Sequence, residues 1–342
     1  MPTTFARDVL ALDAPAAIAR VAAAMTRTLA RDLRRRGVVV GVSGGVDSAV
    51  CVALAAHALG PERVVALLMP EADSDPQSQQ RAQRLCDSLG VPTCVEDIAP
   101  ALTALGCYDR RDTAIRTVFP AYGDGWRQKI TVAEGLLDTD RVSYFNLTVA
   151  DPDGNLQTAR MPTDVYLTVV AATNMKQRTR KLIEYTHADA RNYAVLGTPN
   201  RLEYELGFFV RGGDGLADVK PISHLYKTQV YALAAHLGLP AEISEQPPST
   251  DTYSLPQTQQ EFYFALPYPE MDLLLWAWHH DVTPGEAGEV MGLRPDQVGR
   301  VYRDIVAKRR AAERGLRDAV PVEHVDLEPR PAGAPGPEAS GG

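Results

Sequence analysis

The chain has 342 residues, 45% of them hydrophobic and 23% charged, and carries a net charge of −8. This is the composition of an ordinary globular protein with room for one large α/β core or two modest ones, and the acidic balance argues against nucleic acid as a partner, a tRNA substrate included. Four cysteines without C-x-x-C spacing indicate neither a zinc site nor a disulfide framework, and the lack of a secretory apolar core or a bilayer-length apolar run predicts a cytoplasmic protein with no membrane partner.

Residues 18–36 place apolar side chains at helical spacing and close on Arg34-Arg35-Arg36 before Gly37, which predicts an amphipathic helix. The apolar run Val38-Val39-Val40-Gly41-Val42 reads as a parallel strand buried on both faces. It breaks at Ser43-Gly44-Gly45-Val46-Asp47-Ser48 and resumes as an Ala-rich helix over residues 48–59. Two adjacent glycines where a strand meets a helix let the backbone turn tightly and approach a ligand. The helix then points unpaired N–H groups and its positive dipole end into the same space. Ser43 and Ser48 add hydroxyls, while the Asp47 carboxylate would repel phosphate unless a divalent cation lay between them. Phosphate with Mg²⁺ is the chemistry these residues suggest; the plain alternative is a capped strand-to-helix turn. No Lys-Ser/Thr pair follows the glycines, so this is not a Walker loop, nor is it a Gly-x-Gly-x-x-Gly fingerprint.

A second strand is expected over residues 64–69, a helix over 74–89 and a third strand over 93–98. Strand and helix alternating at this spacing predict a Rossmann-like α/β fold, a parallel sheet with helices on both faces and right-handed crossovers. Ligands bind such sheets at the carboxyl ends of the strands, where residues 43–48 and 69–74 lie. From about 106 to 164 the pattern changes to aromatics, glycines and alternating runs such as residues 142–149. With the turn Asp151-Pro152-Asp153-Gly154-Asn155, this predicts a β-hairpin insertion. A helix over 167–186, a strand over 193–196 and a segment 220–237 ending in a helix follow. Residues 1–328 are expected to form a single domain, and the Pro/Gly-rich residues 329–342 a disordered tail.

Four more stretches sharpen the meaning of the loop. They are Asn174-Met175-Lys176-Gln177-Arg178-Thr179-Arg180; Gly197-Thr198-Pro199-Asn200-Arg201-Leu202-Glu203, running on to Arg211-Gly212-Gly213-Asp214-Gly215-Leu216-Ala217-Asp218; Lys227-Thr228-Gln229; and Pro247-Pro248-Ser249-Thr250-Asp251. The loop alone resembles the pyrophosphate loop of the N-type ATP pyrophosphatases. With these stretches, in order and at similar spacing, the chain resembles ammonia-dependent NAD synthetase over about residues 15–310, the insertion excluded. With no glutaminase segment ahead of the loop, the ammonia-dependent type is the one implied.

The resemblance implies an ATP-dependent amide ligase that adenylates deamido-NAD with release of pyrophosphate, after which ammonia displaces AMP; it also implies a homodimer. Gly41, Val42, Ser43, Gly44, Gly45, Val46, Asp47 and Ser48 would cradle ATP, assisted by Thr198, Lys227 and Ser249. Asp47, Ser48 and Lys227 would form the catalytic group, Asp47 and Glu203 would hold Mg²⁺, and Arg178, Arg211, Asp218 and Lys308 would grip deamido-NAD. Taken singly, Glu203 reads more readily as a solvated helix residue, a reading its place in Gly-Thr-x-x-x-x-Glu reverses; Lys227 reads equally as a surface lysine, Asp218 as a turn or cap, Lys308-Arg309-Arg310 as a charged helix face and Phe208-Phe209 as core.

The chain departs from the family at Arg211, where lysine is usual, at Ala307, where histidine is usual, and at Pro199 and Thr250. These departures and the insertion bear on the acid rather than on ATP. Two other readings therefore stand beside the first: a related amidating ligase for a different carboxylic acid, and a non-catalytic nucleotide-binding regulator. Intact Asp47, Glu203 and Lys227 argue against the regulator.

Overall fold

The computed structural model describes residues 4–132, 145–245, 253–255, 263 and 266–323. In chain order its strands are β1 (Val38–Gly41), β2 (Val64–Leu68), β3 (Thr93–Val95), β4 (Arg127–Val132), β5 (Phe145–Ala150), β6 (Leu156–Arg160) and β7 (Ala194–Leu196). Its α-helices are α1 (Ala14–Arg27), α2 (Val46–Leu59), α3 (Pro76–Leu89), α4 (Ala99–Ala104), α5 (Cys107–Arg116), α6 (Thr163–Arg191), α7 (Arg201–Leu206), α8 (Lys227–His236), α9 (Ala241–Ser244), α10 (Tyr268–His279), α11 (Pro284–Met291) and α12 (Pro295–Leu316).

β1 is central to a four-stranded parallel sheet of order β3-β2-β1-β7. Its three valines explain why. Successive side chains of a strand point to opposite faces, and Val38 and Val40 enter one core with α1, α2, α3 and α8 while Val39 enters another with Leu67, Val195 and residues of α4 to α6. All three are fully buried, and each such burial contributes about 1.5–3 kcal/mol. The expected α/β architecture with helices on both faces is therefore present. Cys51 is buried in the first core, as befits a small hydrophobe.

The register β1 to β7 matters for function. Val40 lies opposite Leu196, so the chain leaving β1 as the glycine loop and the chain leaving β7 as Gly197-Thr198 emerge side by side.

Several expected boundaries shift. The first helix begins at Ala14, because Asp13 caps it by accepting the Ala16 N–H at 3.0 Å. It gives way to a π-helical stretch, Thr28–Leu33, which ends where Arg34 adopts φ 52°. The helix expected over 167–186 spans Thr163–Arg191, and the strand expected over 93–98 stops at Val95.

The expected β-hairpin insertion is present within residues 106–164 as β5 and β6, to which β4 adds a third antiparallel strand in the order β4-β5-β6; ahead of it, residues Cys107–Arg116 form a helix. The predicted turn does join β5 to β6: Asp151 accepts the Asn155 main-chain N–H at 2.8 Å and its side-chain amide at 2.9 Å, and Gly154 takes φ 88°. Inward-facing Ile130, Leu147 and Val149 pack on Ile115 of α5 and on Val165 and Val169 of α6, which closes a third core. A fourth core joins α7 to α10, α11 and α12. Residues 142–144, Ser249 and residues 329–342, each of which carried an expectation, lie outside the described residues.

Candidate active site

A cleft of about 530 Å³ opens at the carboxyl ends of β1, β2 and β7. Its floor is the glycine loop. Ser48 Oγ donates to the Gly45 carbonyl at 3.0 Å and accepts the Ser43 N–H at 3.2 Å, while Ser43 Oγ accepts the Gly45 N–H at 3.3 Å. The loop thus holds its shape through its own hydroxyls. Gly45 is the N-cap of α2, so the N–H groups of the next residues have no partner within the helix and face the cleft. Gly44 is obligatory: its φ is +83°, and a Cβ there would lie 2.5 Å from the Ser78 carbonyl oxygen.

Above the loop, four polar side chains from distant parts of the sequence meet. Lys227, at the start of α8 and fully buried, points its Nζ onto Asp47 Oδ2. Asn200 donates from Nδ2 to Asp47 Oδ1 at 3.2 Å. The same asparagine caps α7, with Oδ1 accepting the Glu203 N–H at 3.2 Å and Glu203 Oε2 accepting the Asn200 N–H at 3.1 Å. Burial, and then repulsion from Asp47, pushes the Glu203 carboxyl up to about 8. Burial opposes the Lys227 charge, but Asp47 and Glu203 outweigh it and hold that ammonium above its ordinary value. Asp272 of α10 accepts the N–H groups of Lys227 at 3.2 Å and Thr228 at 2.7 Å, which anchors the start of α8. Burial raises the Asp272 carboxyl to about 6 despite those bonds.

The cleft extends along α6. Lys181 Nζ donates to Glu184 Oε2 at 2.6 Å, and Glu184 Oε1 lies 2.9 Å from the place a Gly41 Cβ would take. Burial raises the Glu184 carboxyl and Lys181 works against it. Lys176 does not face the cleft: it is buried between Glu71 Oε1 at 2.9 Å and Asp73 Oδ2 at 2.5 Å. Arg111 also contacts Asp73, and the Tyr108 hydroxyl donates to Glu71 at 2.8 Å. This network fixes residues 70–75 where Pro70, Ser74 and Asp75 line the cleft.

Of the residues expected from sequence, Gly41 to Ser48, Thr198, Glu203 and Lys227 all line this cleft. Arg178, Arg211, Asp218 and Lys308 are not among the described residues lining it. Arg178 Nε donates to the Arg211 carbonyl at 3.2 Å, so those two arginines are neighbours. Asp218 accepts the Val195 N–H at 2.8 Å and the Tyr185 hydroxyl at 3.3 Å, bonds that brace the end of β7. Lys308 donates to Asp304 and to the Tyr263 carbonyl, both at 2.7 Å, and sits 4.5 Å over the Tyr263 ring, which does line the cleft.

Sequence reasoning missed Asn200, although Asn-x-x-Glu is the signature of a capping box. It also missed the cleft-lining aromatics Phe145, Tyr166 and Tyr253. The tertiary fold brings Cys94, Glu96 and His187 within 4.8 Å of one another, a trio invisible in spacing; His187 and Glu96 satisfy each other at 2.7 Å. No α-helix among the described residues is long and apolar enough to cross a membrane.

Chemically, the site offers an anion cradle, a buried ammonium and two carboxylates that both bond to Asn200, one through its side-chain amide and one through its main-chain N–H. The donor set suits a hard divalent cation: two carboxylates, one of them raised by burial and by the other's charge, gain from a cation between them. A sequence model of the family described as NAD synthase matches residues 18–118 and 126–310, so the match runs through the antiparallel sheet and leaves out residues 119–125 between its two spans. The NH(3)-dependent NAD(+) synthetase of Rhizobium meliloti (strain 1021) is 53% identical over 325 residues, covering 94% of this chain and 97% of that protein. In fold, the chain resembles an NMN synthetase from Francisella tularensis at TM-score 0.61 and 20% identity, with 92% of this chain and 100% of that chain covered. It likewise resembles the NH3-dependent NAD synthetase from Campylobacter jejuni subsp. jejuni NCTC 11168 at TM-score 0.60 and 21% identity, over 91% and 100% of the two chains.

Proposed function

The chain belongs to the NAD synthase family, and on that premise we propose how its cleft makes NAD from deamido-NAD, ATP and ammonia. A carboxylate is a poor electrophile because its oxygen will not leave. Attack of the nicotinate carboxylate on the α-phosphorus of ATP expels pyrophosphate and forms an acyl adenylate. Ammonia then adds to the acyl carbon, loses a proton and displaces AMP, leaving the amide.

The chain's part is to position anions and neutralise charge. The loop amides and the Ser43 and Ser48 hydroxyls receive the phosphates. Lys227, charged and buried, meets the negative charge that grows on the leaving pyrophosphate. Asp47 and Glu203, both bonded to Asn200, would hold Mg²⁺, which when bound would supply positive charge against the phosphates. Ser249 completes the nucleotide contacts, and Arg178, Arg211, Asp218 and Lys308 bind the dinucleotide, in an assembly of two copies. The enzyme works in the cytoplasm, residues 1–328 acting as one domain.

The single observation that carries this reading is the convergence of Asp47, Asn200, Glu203 and Lys227 behind the glycine loop. The activity named for the relatives disfavours a different carboxylic acid. Phosphorus NMR of a mixture of protein, ATP, Mg²⁺, deamido-NAD and ammonium tests it. AMP and pyrophosphate should accumulate together; ADP and phosphate would overturn the mechanism.

A further inference from the structure

The antiparallel sheet contributes one side chain to the cleft and holds another in place. Phe145, at the start of β5, stacks on Tyr166 of α6 with ring centroids 4.1 Å apart and planes 12° from parallel. Both rings line the cleft, and the lining continues along α6 through Val170, Thr173, Asn174 and Gln177. Those positions follow Tyr166 at helical spacing, so they form one face. Thr173 is buried, and its hydroxyl has no hydrogen-bond partner among the described residues. A buried donor without a partner is costly and uncommon. Beside a stacked aromatic pair, it marks a place for a ligand that brings both a flat ring and a polar atom.

The sheet's outer strand does the holding. β4 pairs with β5 on one side. On its other edge the Leu255 N–H donates to the Gln128 carbonyl at 3.0 Å, and the Gln128 N–H donates to Ser254 Oγ at 2.9 Å. Ser254 and Leu255 are thus tied to β4 at Gln128 by one side-chain and one main-chain bond. This holds Tyr253, which is buried in one cluster with Ile130, Leu147, Val149 and Val169 and lines the cleft.

We infer that the antiparallel sheet is a specificity element for the acid substrate: through Phe145 and the clamped Tyr253 it builds, with Tyr166, an aromatic wall for the planar ring that carries the reacting carboxylate. The inference rests on the acid being deamido-NAD, whose nicotinate ring would take that place. Flat rings gain from offset stacking on aromatic side chains, and such a wall serves the acid without touching the phosphate-binding loop.

The test uses the full chain and varies each substrate separately. Phe145→Ala should raise the KM for deamido-NAD about tenfold, the size of a lost ring stack, while the KM for ATP stays within about twofold. Phe145→Tyr should restore the acid KM, and Ser254→Ala, which loosens the clamp on Tyr253, should raise it by a smaller factor. A purely structural role would lower the melting temperature and raise both KM values together. An unchanged acid KM in Phe145→Ala, or equal rises for both substrates, refutes the wall alone if the wild-type protein turns over deamido-NAD. No AMP from the wild-type protein with deamido-NAD and ammonium refutes the assigned acid and the wall with it.

Discussion

Replacing Glu203 by glutamine removes a charge and almost nothing else. The glutamine amide oxygen can still accept the Asn200 N–H that Glu203 Oε2 accepts at 3.1 Å, so the box at the start of α7 survives. In the metal-free protein, burial and then Asp47 raise the Glu203 carboxyl from 4.5 to about 8. Because the folded value lies above the unfolded one, the wild-type protein keeps this contribution to stability below about 4.5 and loses it as pH rises through about 8. A carboxyl held this far above its ordinary value costs on the order of a few kcal/mol to ionise. Water entry and relaxation at an open cleft reduce such costs, which leaves an expected gain for Glu203→Gln of about 2 kcal/mol above pH 8. For a chain of this size that is a melting temperature about 3 °C higher. Calorimetry with a chelator at about pH 9 and about pH 5 should show this gain at the first and little of it at the second. Adding Mg²⁺ should then raise the melting temperature of the wild-type protein and not of the variant, which should also be nearly inactive. Equal melting of the two chelated proteins at the higher pH would refute the reasoning about the buried charge. Equal stabilisation by Mg²⁺ would refute Glu203 as a metal ligand.

Two further substitutions probe the loop and its cation. Asp47→Asn should lower turnover by about two to three orders of magnitude and, because buried Lys227 loses its carboxylate partner, lower stability by about 2–3 kcal/mol in urea melts; turnover near wild type would refute its role. Gly44→Ala must accept a left-handed backbone and a Cβ 2.5 Å from the Ser78 oxygen, at about 1–2 kcal/mol for the backbone alone. ATP titration calorimetry should show binding weakened by about tenfold or more, and unchanged binding would mean the loop is looser than its geometry implies.

Much of this protein is written in local pattern. Three consecutive valines followed by Ser-Gly-Gly-Val-Asp-Ser prescribe a strand buried on both faces, a tight turn and a helix N-terminus, because side-chain burial and backbone freedom act over a few residues. The same reasoning located β2, α3 and the Asp151–Asn155 turn, whose own side chains close it. Order and spacing of the motifs then identified the family and picked out residues that line the cleft.

What local pattern cannot contain is which distant groups share a space. Asp47 is 153 residues from Asn200 and 180 from Lys227; they meet only because β7 pairs beside β1 and aims both loops the same way. Lys176 shares a helical spacing with the cleft-lining Arg180, yet the fold buries it against Glu71 and Asp73. Periodicity told that those residues lie on one helix without saying what each would meet. Within the stretch from 106 to 164 the hairpin was legible, but the helix ahead of it was not. Its helix Cys107–Arg116 has only four buried residues, too faint an apolar stripe to stand out beside the alternating runs that follow. The strands that do form there acquire their purpose from packing on α6 and from gripping residues 253–255. A β-strand's alternation specifies two faces; only the tertiary structure decides that one covers a core while its edge carries an aromatic to the cleft.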